Sequence, residues 1–225
     1  MNITAITGSG LSAASGIPTY RSEGSGWDQY ANGIAHYTRY GNHLDELWKH
    51  WTERGLNMQE AEPNAAHLAL AEAKAAIITQ NVDGLHTRAG SVEVNELHGN
   101  MQTMKCLRCR QVTPCDFSTE RPHCASCGSP RVRSNVILFG EPLSQQKFMN
   151  ALQDIVVADV ILVIGTSGNV YPARELVDTA LMISQFSDKK TVLFDIEPWE
   201  DTEAFTEVIL GPAEETVPAY LGQFL

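Results

Sequence analysis

Along this chain, short continuous apolar runs alternate with longer segments in which apolar positions recur every three or four residues. "NITAIT" is a short β-rich run that ends in a glycine-rich turn. "LDELWKHWTER" and "PNAAHLALAEA" carry helical spacing, with Pro63 expected in the first turn of the second, where its missing N–H is not needed. "AAIITQ" reads as a strand, "VDGLHTRAG" as a short helix ending at Gly90, and "VEVNEL" alternates as a strand does. Further on, "SQQKFMNALQDIVVA" is helical and "DVILVIGTS" is an unbroken apolar strand. The helix "YPARELVDTALMIS" and the strand "KTVLFDIEP" follow, and "TEVILGPAEETVPAYLGQFL" adds one more strand and helix. Strands without polar alternation suit a parallel sheet covered on both faces. The whole order predicts an α/β fold, a Rossmann-like doubly wound parallel sheet.

Two segments break the alternation. Residues 22–62 begin with an irregular stretch and continue into a helix, and residues 103–133 hold the cysteines. Both read as insertions, so the expectation is one domain with a body of residues 1–21, 63–102 and 134–225 and a small inserted zinc-ribbon and helical lobe. A chain of 225 residues with 43% hydrophobic content is long enough to bury a sizeable core. No apolar run is long enough to cross a bilayer, and "MNITAITGSG" lacks the basic start of a signal peptide. A soluble, cytoplasmic protein with no membrane partner is expected. Five cysteines, an odd number, then point to thiols or a metal rather than to a disulfide framework.

A net charge of −11 argues against a nucleic-acid binder. The charge is uneven: Lys105, Arg108, Arg110, Arg121, Arg131 and Arg133 stand against only Asp116 and Glu120 in the cysteine segment. A solvated charged lobe accounts for this, and so does a docking surface for an acidic partner.

Candidate chemistry sits in three places. In "TGSGLSAASGIP", Gly8, Gly10 and Ala13 fit G-x-G-x-x-G/A directly after a strand, where exposed N–H groups at a helix start bind a pyrophosphate. An ordinary tight turn fits the same residues. The acidic residue that usually follows is not evident, since Asp28 has the offset but lies in a glycine-rich loop. Cys106, Cys109, Cys124 and Cys127 form two C-x2-C pairs at zinc-ribbon spacing, a closed structural site without an open position for water. Cys115 is left over as a buried or partly buried thiol. His98 ends the strand "VEVNEL" just before Gly99, at the edge where open α/β sheets bind ligands. With four cysteines available zinc does not need it, which leaves a hydrogen-bonded structural residue or a catalyst.

"GSGLSAASGIPTYR", "TQNVDGLHTRAG", "ELHGN", the four cysteines, "VILFGE" and "GTSGNVYPA" occur in the order found in sirtuins, and the resemblance runs over nearly the whole chain. It implies an NAD-dependent protein lysine deacylase with structural Zn2+, acting on an acylated-lysine protein or peptide. Under it, Gly8, Ser9, Gly10, Ser12, Tyr20 and Arg21 match the block around the NAD diphosphate and nicotinamide ribose. Gln80, Asn81 and Asp83 match the nicotinamide pocket, with Asn81 counted beside the catalytic residue, while Gly165, Thr166, Ser167, Asp195 and Ile196 match further cofactor contacts. His98 matches the general base that activates a ribose hydroxyl, a task suited to imidazole near neutral pH. Ile137, Phe139, Gly140 and Glu141, with Val170, Tyr171 and Pro172, match the strands that flank a substrate peptide. The products implied are free lysine, nicotinamide and acyl-ADP-ribose.

Departures from the family pattern qualify this picture. Tyr20 stands where phenylalanine is usual, Ser9 where alanine is frequent, and Asp195 where asparagine is common, which favours NAD over NADP. His86 is expected to be structural. "LDELWKHWTERG" lacks the Tyr-x-x-Arg pair of members that remove acidic acyl groups; Trp48 and Trp51 suggest an apolar pocket or core, and Tyr37 and Arg39 have the chemistry at the wrong spacing. Acetyl or another neutral acyl group is the expected substrate. An ADP-ribosyltransferase or NAD hydrolase using the same pocket is the alternative, and a non-catalytic NAD-binding module is the third reading.

Overall fold

Ile3–Thr7 form the first strand, β1, and all five residues are buried. An apolar run without alternation predicts this for a strand covered on both faces. The computed structural model describes residues 1–19, 33–117, 120–166 and 173–224. The strands that follow β1 are β2 (Ala76–Thr79), β3 (Val94–Glu96), β4 (Gly99–Cys106), β5 (Val112–Pro114), β6 (Val132–Val136), β7 (Val160–Ile164), β8 (Lys190–Asp195) and β9 (Glu207–Leu210). Six of them form one sheet in the order β3-β2-β1-β7-β8-β9, parallel throughout. This is the strand order of a doubly wound Rossmann-like sheet, which reverses direction between β1 and β7.

The helices are α1 (Leu44–Glu60), α2 (Ala65–Glu72), α3 (Leu85–Arg88), α4 (Gln145–Val157), α5 (Ala173–Ser184) and α6 (Ala213–Leu221). Side chains along a strand alternate between faces. Accordingly β1 sends Ile3 and Ala5 into a core with Leu70 of α2 and Val217 and Leu221 of α6. Ile6 goes to the opposite core, with Ile155 of α4 and Leu176, Val177 and Ala180 of α5. Among the described residues no helix is long and apolar enough to cross a membrane.

The remaining strands form a small antiparallel sheet, β5-β4-β6. Its core is shared with α1: Leu47, Trp48, Trp51 and Met58 pack with Cys106, Phe117, Cys124 and Val132. The helical and cysteine-bearing segments, separate in sequence, therefore meet in one lobe. α1 continues through Gly55 to Glu60, beyond the span its pattern predicts; Gly55 does not end the helix but serves packing, since a Cβ there would lie 2.3 Å from the Phe117 ring. Glycine there admits the aromatic ring.

Pro63 is not in the first turn of α2. Asn64 caps that helix, its side-chain oxygen accepting from Ala66 N at 3.0 Å and His67 N at 3.4 Å, so Pro63 falls before the cap. A side-chain acceptor that satisfies two orphan amides decides the boundary.

His67 also packs edge-to-face on His86, ring centroids 4.9 Å apart, and His86 Nε2 meets Thr7 Oγ1 at 3.0 Å. This confirms a structural place for His86. Burial pushes His67 down to about 4, and burial with the neighbouring His67 pushes His86 down to about 3. Both rings are neutral when folded, whereas in the unfolded chain they protonate near 6.5. The stability they carry is therefore complete above pH 6.5 and is lost as pH falls from 6.5 towards 4 and 3, on the order of 3 kcal/mol for His67 and 5 kcal/mol for His86. Thermal unfolding is expected to shift to lower temperature between pH 7 and pH 5, and His86→Gln should flatten that dependence. An unchanged slope in the variant would contradict the assignment.

Candidate active site

The strand order leaves a crevice at the C-terminal ends of β1 and β7, and the turns after these strands are in backbone contact there. Gly8 N donates to Ile164 O at 3.0 Å and Gly10 N to Gly165 O at 2.8 Å. A Cβ on Gly8 or Gly10 would lie 2.8 Å from backbone atoms of Gly165 and Thr166. The glycines are thus required by turn-to-turn packing, apart from any ligand. The segment after β1 is a 3-10 helix, Ser9–Ser15, not the α-helix its glycine pattern suggests. Its groups are engaged by distant partners: Asn64 Nδ2 from the neighbouring cap takes Leu11 O at 2.8 Å and Ser15 Oγ at 3.2 Å, and the Ser12 hydroxyl is turned onto Asp83.

Behind this turn lies a buried polar network. Asn81 Nδ2 donates to Gly8 O and to Ser12 Oγ, both at 3.0 Å. Ser12 Oγ in turn donates to Asp83 Oδ2 at 2.8 Å, and Leu85 N donates to Asp83 Oδ1 at 2.9 Å. Burial raises the Asp83 pKa above the usual carboxylate range, against the pull of the Leu85 amide and the Ser12 hydroxyl. Gln80 Nε2 reaches across to Thr166 Oγ1 at 3.0 Å, joining the ends of β2 and β7.

His98 stands between β3 and β4, and its Nδ1 lies 3.1 Å from Gln80 O. A carbonyl only accepts, so Nδ1 carries the proton and Nε2 is left as the basic atom. Burial lowers the His98 pKa; the Gln80 carbonyl opposes this, and the Lys147 charge adds to it. The imidazole is therefore neutral, with a free lone pair, at physiological pH.

These groups line one cavity of about 870 Å³. Gly8, Ser9, Gly10, Ser12, Gln80, Asn81, Asp83, His98, Gly165 and Thr166 face it, as do Ile137, Phe139, Gly140, Glu141, Asp195 and Ile196. Asp195 is engaged locally, accepting from Ile196 N at 2.8 Å and Trp199 Nε1 at 3.0 Å. Phe139 N donates to Ala35 O and its carbonyl accepts from Tyr37 N, so that edge of the segment is already paired. The Glu141 carboxylate is turned onto Arg133, at 2.6 and 2.7 Å. Tyr20, Arg21, Asp28, Ser167, Val170, Tyr171 and Pro172 lie outside the described residues.

The far wall of the cavity is α1, contributing His50, Trp51, Arg54 and Met58. Trp48 and Trp51 are both core residues, and Trp51 serves the cavity as well. Arg54 went unnoticed in the sequence, although its i, i+3 offset from Trp51 places the two on one helix face. Tyr37 and Arg39 do not line the cavity; Tyr37 stacks on Tyr40 with centroids 5.8 Å apart.

The four cysteines form a separate site. Their Sγ atoms all lie within 4.8 Å of one another, with Cys106–Cys127 at 3.7 Å and Cys109–Cys124 at 3.6 Å. Zn–S bonds of about 2.3 Å in a tetrahedron require sulfurs about 3.8 Å apart, so the thiols fit zinc. Each pair ends in the same tight knuckle: Arg110 N donates to Cys106 O and Gly128 N to Cys124 O, with φ of 66° and 68° at the two donors. The Cys109 and Arg108 amides pull the Cys106 thiol down to about 6, towards the thiolate that binds metal. Cys115 is buried apart from this set, and burial with Asp116 pushes its thiol up to about 12.

A sequence profile of the Sir2 family matches residues 8–172. The NAD-dependent protein deacylase 2 of Archaeoglobus fulgidus is 38% identical over 228 residues, covering 95% of this chain and 87% of its own. Among solved structures, a Sir2 homolog–NAD complex superimposes with a TM-score of 0.87 at 32% identity, covering 99% of this chain and 88% of that one. A Sir2–p53 peptide–NAD+ structure superimposes with a TM-score of 0.82 at 30% identity, covering 99% of this chain and 93% of that one.

Proposed function

The chain belongs to the Sir2 family, and from that premise we infer that it is an NAD-dependent protein lysine deacylase, with NAD as co-substrate, structural zinc and an acylated protein or peptide as substrate. The observation that carries the residue assignment is the Nδ1 contact of His98 with the Gln80 carbonyl, which makes a lone-pair-bearing imidazole part of the same cavity as the Asn81–Ser12–Asp83 network.

NAD supplies the electrophilic ribose carbon, nicotinamide being its leaving group. The chain's own groups do the rest. Gly8, Ser9, Gly10 and Ser12, with Gly165 and Thr166, form the diphosphate end at the strand reversal, where doubly wound sheets bind dinucleotides; the Gly8 and Gly10 amides are spent on Ile164 O and Gly165 O, so these two glycines serve through the close approach of the turns. Asp83 accepts from the carboxamide, and Asn81, tied to Gly8 and Ser12, keeps the reacting end of the pocket aligned. His98 Nε2 takes the proton from a ribose hydroxyl. Asp195 and Ile196 line the adenosine side, and a carboxylate there disfavours a 2′-phosphate. The proposal extends to Tyr20, Arg21 and Ser167 as cofactor contacts and to Ile137, Phe139, Gly140, Val170 and Tyr171 as the peptide seat. Cys106, Cys109, Cys124 and Cys127 would hold the zinc. The body comprises residues 1–21, 63–102 and 134–225, and the lobe residues 22–62 and 103–133.

Acetyl or another neutral acyl group is the first reading for the substrate, supported by Trp51 and Met58 on the cavity wall. Arg54 on that wall favours a second, an acyl chain ending in a carboxylate. Of the six basic residues in the cysteine segment, Arg121 pairs with Asp45 and Arg133 with Glu141. Docking of an acidic partner therefore rests on the exposed Arg108, Arg110 and Arg131. Initial rates of NAD-dependent lysine release from acetyl, longer neutral and succinyl peptides test the reading. Turnover of the neutral series supports the first substrate class, turnover of the succinyl peptide alone supports the second, and no turnover of any of them overturns deacylation.

A further inference from the structure

Lys105 and Arg133 are register partners across β4 and β6, so two cations stand directly opposite one another in an antiparallel pair. Like charges so placed destabilise a sheet. Arg133 is moreover 1% exposed, and a guanidinium at that depth needs a counter-charge. Both cations are directed at one anion: Glu141 lies 2.6 Å from Arg133 through Oε1 and 3.9 Å from Lys105 Nζ. The Tyr40 ring covers the guanidinium at 5.2 Å.

Glu141 closes a tight turn from both ends. Its amide donates to Leu138 O at 2.9 Å, and its Oε2 accepts from Leu138 N at 3.0 Å. Arg133 also donates to Val136 O, holding the start of the same segment. Ile137 N donates to His98 O at 2.8 Å, so the segment is continuous with the residue read as the base. Replacing a buried ion pair by apolar residues is often neutral for stability, which makes geometric specificity the better account of its presence.

We propose that Glu141 is a positioning residue for the acyl-peptide seat, gripped from the cysteine lobe by Arg133 and Lys105 so that residues 137–140 keep the shape that receives the peptide. This rests on the reading of residues 137–141 as that seat, and it replaces a direct contact of the Glu141 side chain with substrate. Since Lys105 precedes Cys106 and Arg133 follows Val132, the register partner of Cys106, the grip begins at the metal-binding end of the small sheet. It gives the cysteine lobe a part in substrate binding.

The test is steady-state kinetics on Glu141→Gln and Lys105→Met, varying acyl peptide and NAD separately, well below each variant's Tm. Glu141→Gln keeps the shape and removes the charge; Lys105→Met alters a partly exposed side chain and spares the buried pair. The expected result for Glu141→Gln is a peptide KM raised about tenfold, the scale of a lost charge-assisted hydrogen bond. The NAD KM should stay within about twofold and kcat should fall less than the peptide KM rises. Lys105→Met should show a smaller change in the same parameter alone. Equal rises in both KM values, or a lower Tm with both KM values unchanged, would assign the pair to the fold and overturn the proposal. Absence of deacylation in the parent protein would instead remove the reading beneath it.

Discussion

His98→Ala is expected to lower kcat/KM for the acyl peptide by roughly 10² to 10⁴, the range that a positioned general base contributes. NAD binding, measured by calorimetry, should be retained. The turns proposed to hold the cofactor are joined by Gly8–Ile164 and Gly10–Gly165 bonds in which His98 takes no part. The same imidazole sets an acidic limit on activity. Its pKa is depressed by burial, with Lys147 adding to the effect and the Gln80 carbonyl opposing it. The basic form therefore persists as pH falls below 6.5, and activity is lost only as pH passes through the lowered value. Lys147→Met should move that acid limb to higher pH. A limb at or above 6.5 in the parent protein would contradict the assigned environment.

Stripping the metal with a chelator is expected to unfold the cysteine lobe, a loss on the order of 10 kcal/mol of local folding free energy for a closed thiolate site. β5 has only three residues, and the lobe core includes Cys106 and Cys124 themselves. Opening the ligand knuckles takes these two buried side chains out of that core. α1 shares that core through Trp48 and Trp51, so the cavity wall should loosen with it. Circular dichroism and intrinsic tryptophan emission should both change on chelation, and Cys124→Ser should reproduce the effect. Cys115→Ser should not, because its thiol is no part of the cluster. Unchanged spectra after complete metal removal would show that the lobe stands on packing alone.

The body of the fold was legible because its strands are buried on both faces. "DVILVIGTS" and "KTVLFDIEP" read as interior parallel strands, and the C-x2-C spacings point to a metal site without further context. What was hidden depends on partners distant in sequence. Arg133 reads as one more basic residue in a charged lobe until Glu141, eight positions on, is seen to fold back on it. The two segments that break the α/β pattern are expected to form one small lobe, but the pattern does not say which residues join them: Trp48 and Trp51 on one side and Cys106 and Val132 on the other. The capping competition between Pro63 and Asn64 is local, but it is decided by hydrogen bonds that also reach Leu11 and Ser15. Helical periodicity puts Arg54 on one face with Trp51, but that this face lines a cavity depends on segments far away in the chain.

The products of a single reaction test whether this cavity joins NAD cleavage to lysine deacylation with His98 as base. Protein, NAD and an acetyl-lysine peptide should give free lysine peptide, nicotinamide and O-acetyl-ADP-ribose in equal amounts by mass spectrometry, with none of the three accumulating at a comparable rate in His98→Ala. Plain ADP-ribose or ADP-ribosylated protein, with the acyl peptide intact, would contradict it.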